Sequence, residues 1–193
     1  VVNHSNFVER VVRLFRGASR VVLLASVSVA LAACGGDGGG GSSSSGQSSS
    51  TTLSRVALNA FTNFKCTSNW TNRDGGLGLK AGTKSGTCRA TFPGKSGVYR
   101  MRVNLQTEFD GSSPYRVSVN GKVIHSGRYP YSTGKLVCDC PNWRSNCPDR
   151  IVAVDLGKRS LKAGDIIEFY GSEVYPCGEH GSYAKWRGMD FTP

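Results

Sequence analysis

The chain has 193 residues, 38% of them hydrophobic and 19% charged, with 25 Gly and 7 Cys. That length holds one folded domain with appendages and excludes a large multidomain enzyme. Low charge and high Gly argue against a coiled coil or helical bundle. A net charge of +11 favours anionic surroundings without naming a partner.

Residues 1–33 read as an export signal. Arg10, Arg13, Arg16 and Arg20 form a basic segment in which Glu9 is the one acid, and Val21 to Ala33 contains only apolar residues and serines. Such a run is too short to cross about 30 Å of hydrocarbon as a helix.

The run ends Leu31-Ala32-Ala33-Cys34-Gly35, which resembles the lipobox of bacterial lipoproteins. That resemblance implies cleavage before Cys34, lipidation of its thiol and a stable membrane anchor through several acyl chains. Gly35, where the family carries Asp to retain a protein in the inner membrane, implies the outer membrane, facing either the periplasm or the surface. Residues 34–52 then hold the lipidated Cys and a stretch that is almost wholly Gly and Ser, the composition of a flexible tether. Beyond the signal, 20 Lys and Arg still face 12 Asp and Glu, so the basic excess belongs to the exported part.

Residues 53–193 form the expected domain. Its six cysteines, Cys66, Cys88, Cys138, Cys140, Cys147 and Cys177, suit disulfides in an oxidising compartment. Fifteen pairings are possible. Cys66–Cys88 and Cys140–Cys147 are the expected local bridges, leaving Cys138–Cys177. Zinc is the rival reading, weakened because Cys138 and Cys140 are separated by a single residue.

Alternation dominates the domain. Strands are expected at Val56–Ala60, Thr87–Phe92, Tyr99–Leu105, Tyr115–Val119, Lys122–His125, Ile151–Leu156, Ile166–Tyr170 and Trp186–Phe191. In the third, Tyr99, Met101, Val103 and Leu105 turn inward while Arg100 and Arg102 make a basic outer face. Asn120-Gly121 predicts a two-residue hairpin with Val119 opposite Lys122 and Val117 opposite Ile124. About eight short strands make an all-β, disulfide-stapled sandwich or jelly roll.

The segments Phe92-Pro93-Gly94 through Arg100, Glu108 to Gly111, Tyr115 to Gly121, Leu161 to Ile167, and Tyr183 to Phe191 resemble galactose-binding-like jelly rolls. Among these, the chain is similar to carbohydrate-binding modules of families six, thirty-five and thirty-six. The resemblance implies a jelly-roll β-sandwich that binds carbohydrate without cutting it. Family members carry an acid in the first strand that helps hold a structural calcium; Val56-Ala57-Leu58-Asn59-Ala60 has none.

Sugar capture needs aromatic faces and a few convergent polar groups. The candidates are Trp70, Tyr129, Tyr131, Trp143, Glu173, His180, Tyr183 and Trp186, the last expected to face outward. Each competes with simple packing, since Trp and Tyr commonly plug the ends of small sandwiches. Glu108 and Asp110 are the candidate calcium ligands, although Asp110-Gly111 equally suits a tight turn. No catalytic residue is assigned: Asp139, Asp149 and Asp155 look scattered, no Gly-x-Ser-x-Gly elbow occurs, and nothing supplies a second group for His180. The basic excess suits an acidic polysaccharide, and equally a solvated face near anionic membrane; nucleic acid is not expected outside the cytoplasm. The expectation is therefore a monomeric, non-enzymatic lipoprotein that binds polysaccharide through loop aromatics. The alternative is a structural or protein-interaction lipoprotein of the cell envelope.

Overall fold

A computed structural model describes residues 52–193. The signal segment, Cys34 and the Gly/Ser stretch lie outside the described residues, apart from Thr52. Eleven strands and one short helix follow in order: β1 (Val56–Asn59), β2 (Lys65–Cys66), β3 (Trp70–Arg73), β4 (Gly76–Leu79), β5 (Ser85–Thr91), β6 (Gly97–Thr107), β7 (Pro114–Val119), β8 (Lys122–Arg128), α1 (Trp143–Asn146), β9 (Arg150–Leu161), β10 (Ile166–Ser172) and β11 (Trp186–Thr192). All eight expected strands are present.

They form two antiparallel sheets, one of six strands in the order β3-β4-β11-β6-β9 with β1 also on β11, the other of five in the order β2-β5-β10-β7-β8. This is the jelly-roll sandwich. Period-2 alternation puts one face of each strand between the sheets. Tyr99, Met101, Val103 and Leu105 of β6 meet Ile167 and Phe169 of β10 in one core cluster that runs from Leu58 to Phe191. That cluster and the three disulfides tie the described residues together from Leu58 to Phe191.

The disulfides pair Cys66 with Cys88, Cys138 with Cys177 and Cys140 with Cys147. The first joins directly opposed residues of β2 and β5. The other two fasten the long connection between β8 and β9. Both sulfurs of the Cys138-x-Cys140 pair are thereby consumed, which removes the zinc reading.

Three details depart from expectation. The Asn120-Gly121 hairpin does place Val119 opposite Lys122, but Val117 faces His125 and not Ile124. A bulge between Val117 and Ser118 inserts one extra residue in β8 and shifts the pairing. β9 continues past Leu156 to Leu161 by bulging at Gly157, whose φ is 80°. The third is the β2-β3-β4 region, which the alternation does not reveal. There Asp74 (φ 52°) and Gly75 (φ 76°) close a tight hairpin between β3 and β4.

Trp186 does not face outward. It is fully buried, stacked on Phe169 of the opposite sheet at 4.1 Å between ring centroids and edge-on to Phe64 at 4.8 Å. A register shift in the β11–β6 ladder between Trp186 and Gly188 breaks the alternation that pointed it to solvent. Trp70 packs against the same group, 6.4 Å from Trp186 and 6.0 Å from Phe169. This aromatic contact bridges the two sheets. Trp186→Ala should therefore cost about 3–5 kcal/mol, read as a lower urea midpoint for the oxidised domain.

Candidate functional site

One end of the sandwich is built around a buried ammonium. Lys185 lies just before β11, between buried Ala184 and Trp186. Its carbonyl accepts the Gln106 N–H at 2.8 Å, which fixes it to the end of β6. Its stem crosses the glycines of β4. A Cβ on Gly78 would come within 2.9 Å of the Lys185 Cγ, so the Gly-Leu-Gly-Leu strand keeps leucines for the core and leaves the Gly side open for lysine.

The Lys185 Nζ lies 3.0 Å from Glu108 Oε1 and 3.1 Å from Asp74 Oδ2, and it also contacts Asp149 Oδ2. These carboxylates come from the loop after β6, the β3–β4 turn and the approach to β9. One cation thus joins four segments. Glu108 Oε2 accepts the Tyr183 N–H at 2.7 Å, and Asp149 Oδ2 accepts the Gln106 Nε2–H at 3.1 Å. Burial alone would push the Lys185 ammonium down; the carboxylates of Glu108 and Asp149 outweigh it and hold the pKa above that of free lysine. Burial pushes the Glu108 carboxyl up to about 7, against the opposing pull of Lys185 and the Tyr183 N–H.

Above this cluster opens a cavity of about 340 Å³. Its lining includes Trp143 of α1, Phe109, Tyr183, His180, Arg73 and the disulfide sulfurs' residues Cys138 and Cys140. Half-buried Trp143 is backed by Phe109, the rings 6.2 Å apart and 29° from parallel. The Arg73 guanidinium lies 3.6 Å over the Tyr183 ring. His180 Nδ1 stands 2.9 Å from Asp110 Oδ2; with the carboxylate as acceptor a proton sits on Nδ1, and Nε2 is left for other partners. Gly111 lets the Asp110 loop close, since a Cβ there would meet the Ser182 nitrogen at 2.5 Å. Asp74, Glu108, Asp110, Asp139 and Asp149 all line this space. They are five of the eleven Asp and Glu among the described residues, so the cavity is acidic in a basic domain.

The structure brings together three of the expected ligand residues, Trp143, His180 and Tyr183, with Glu108 and Asp110. It separates the others. Trp70, Tyr129 and Trp186 are corrected from ligand contacts to core: Tyr129 is buried edge-on to Tyr115 at 5.6 Å. Tyr131 is half-buried outside the cavity lining. Glu173 is a buried brace, accepting the Lys84 N–H at 2.6 Å and the Tyr175 O–H at 2.8 Å. Glu108 and Asp110, read as calcium ligands, are turned to Lys185 and His180, and the described residues hold no cluster of three or more His, Cys, Asp or Glu suited to a metal. Asp139 and Asp149, which look scattered in sequence, meet here. Lys185, Asp74 and Arg73 were not anticipated; the one sequence signal was Asp74-Gly75, a hairpin pair that places whatever precedes it at the sandwich end.

The sequence matches no family model and no curated protein. Solved structures resemble the fold. An insecticidal crystal protein, Cry2Aa, aligns at 13% identity and TM-score 0.50 over 72% of this chain and 21% of its own. A family 35 carbohydrate-binding module from Clostridium thermocellum aligns at 13% identity and TM-score 0.42, over 72% of this chain and 97% of its own. The C-terminal family 6 carbohydrate-binding module of LamC, a laminarinase from Zobellia galactanivorans, aligns at 15% and 0.45, over 72% and 100%. At these identities the likeness is one of fold.

Glu108 makes stability depend on pH. Its folded pKa of about 7 lies above the ordinary 4.5, so the folded state holds the extra proton in between. The stability it contributes is complete below pH 4.5 and is lost as pH rises through about 7, about 3 kcal/mol in all. Asp155, held near 2 chiefly by its hydrogen bond from Arg100, titrates below that window. Urea unfolding should thus show stability falling from pH 5 to pH 8, and Glu108→Gln should flatten the slope.

Proposed function

We propose that the cavity at the end of the sandwich binds a carbohydrate and that its ligand is uncharged. The observation that carries this reading is the pairing of Trp143, backed by Phe109, with polar groups already held in place by Lys185 and Asp110. An aromatic face suits the apolar side of a sugar ring, and fixed carboxylates and an imidazole nitrogen suit its hydroxyls. Preorganisation matters because the polar groups reorganise little on binding. Five carboxylates against the two cations Lys185 and Arg73 leave the lining net acidic, which disfavours a uronic or sulfated sugar at this site. The lipobox at Cys34 and the Gly/Ser tether complete the proposal: a lipid-anchored domain of the cell envelope, held by a flexible link so that the cavity can reach polymer.

Hydrolysis is the second reading, favoured by one observation. Glu108, pushed up to about 7, has the pKa of a general acid, and other carboxylates share its cavity. Cleavage needs two carboxylates facing across open space; here the Lys185 ammonium stands between Glu108, Asp74 and Asp149. Binding without cleavage is the better fit.

A glycan array with the oxidised domain, residues 52–193, tests both. Neutral glycans should be bound in preference to uronates, and Trp143→Ala should weaken the hit by about tenfold or more, the loss expected of an aromatic anchor. Uncleaved ligand recovered after incubation supports binding alone; new reducing ends would establish the hydrolytic reading. A blank array with a folded domain would return the weight to protein interaction.

A further inference from the structure

The outer faces of both sheets carry more cations than acids, in different surroundings. On the six-stranded sheet two of the outward arginines are paired with acids. Arg100 pairs with Asp155, Arg55 lies 2.8 Å from Asp190, and Arg102 sits in register with both Asp155 and Asp190. Arg102 makes no ion pair among the described residues, and exposed Lys158 lies in register with Arg100, so this face keeps two cations beyond its two acids.

The five-stranded sheet sets its excess beside an aromatic ring and an open groove. Its inward residues, such as Cys88, Phe169 and Val117, are fully buried, so alternation turns their neighbours out. Register sets Lys65, Arg89 and Glu168 in one row across β2, β5 and β10. The next row is Thr87, Tyr170 and Arg116 across β5, β10 and β7. Three cations face one acid. Glu168 is engaged by Arg89 at 2.6 Å, yet the Arg89 side chain remains 67% exposed. The Arg116 guanidinium lies 4.2 Å over the Tyr170 ring, which fixes a planar cation beside an aromatic surface at mid-sheet. Beside these rows runs an open groove of about 830 Å³ lined by Lys65, Arg89 and threonine hydroxyls.

We infer that this face is a second binding surface whose ligand is an acidic polysaccharide, an extended chain bearing carboxylate or sulfate groups. Arg89 and Arg116 lie two strands and one row apart, about 12 Å on a rigid sheet. That spacing fits anions repeated along a polymer better than one compact ion. Guanidinium forks bind carboxylate and sulfate in plane, while Tyr170 and the threonine hydroxyls offer contacts to the sugar between charges. The end cavity, rich in carboxylates, repels the same polymer, so the two surfaces sort ligands by charge. This inference is independent of what the cavity binds.

Retention of the oxidised domain on immobilised heparin and immobilised polygalacturonate tests it. The triple change Lys65→Ser, Arg89→Ser, Arg116→Ser should cost about tenfold or more in affinity. The triple change Arg55→Ser, Arg100→Ser, Arg102→Ser removes the same charge from the other face and should cost no more than about threefold. Tyr170→Ala should weaken binding with no change in charge, and Trp143→Ala should leave it intact. Circular dichroism checks that each variant is folded. Equal losses from the two triples would overturn the inference by showing that net charge alone acts. Failure of the wild-type domain to bind either polymer, or equal retention on single-stranded DNA, would overturn it as well.

Discussion

A single ammonium organises the end of this domain where the candidate cavity opens. Lys185 is buried and within ionic contact of Asp74, Glu108 and Asp149. Taking those charges out of water is expensive, and the mutual attraction offsets it only because the geometry is tight and further donors reach Glu108 and Asp149. Those donors belong to Tyr183 and Gln106. The cluster therefore specifies geometry more than it adds stability. It sets where the β3–β4 turn, the loop after β6, the approach to β9 and the start of β11 come together, and the cavity lies over that junction.

The rest of the site follows from covalent staples and charge placement. The connection from β8 to β9 has little regular structure beyond α1, so Cys138–Cys177 and Cys140–Cys147 hold it. They bring Trp143 to the cavity wall, where Phe109 backs it. Nearly half of the domain's acids are drawn into this one place, while the five-stranded sheet keeps cations with a single acid among them. The basic excess legible in the composition is thus an average over two surfaces of opposite character.

Strands were legible wherever one face is buried and the other solvated, because alternation is then written into the residue types; β6 and β10 are clear cases. The disulfide pairs are those expected, although spacing alone selects none of the fifteen pairings: the shortest separation, Cys138 to Cys140, is not a bridge. What alternation could not show was anything created by a break in it. The bulge in β8 moved His125 opposite Val117, and the register shift in β11 sent Trp186 into the core. β4 was hidden because its alternate glycines exist to accommodate Lys185, a residue more than 100 positions away. The convergence of Asp74, Glu108 and Asp149 on one nitrogen depends on three strand ends meeting, information held in topology and not in spacing. Trp143, His180 and Tyr183, picked out by the composition of their loops, line one cavity, whereas Trp70 and Tyr129, picked out on the same grounds, are core, since an aromatic in a loop packs inward as readily as it faces a ligand.

The central claim is that Lys185 positions the cavity walls. The measurement that tests it most directly is urea unfolding of Lys185→Met, paired with amide chemical shifts of the folded variant. If the claim holds, three carboxylates are left without their cation, stability falls by about 3–5 kcal/mol, and shifts change together at the Asp74 turn, the Glu108 loop and residues 138–149. A variant within about 1 kcal/mol of the parent, with shifts altered only beside position 185, would contradict it.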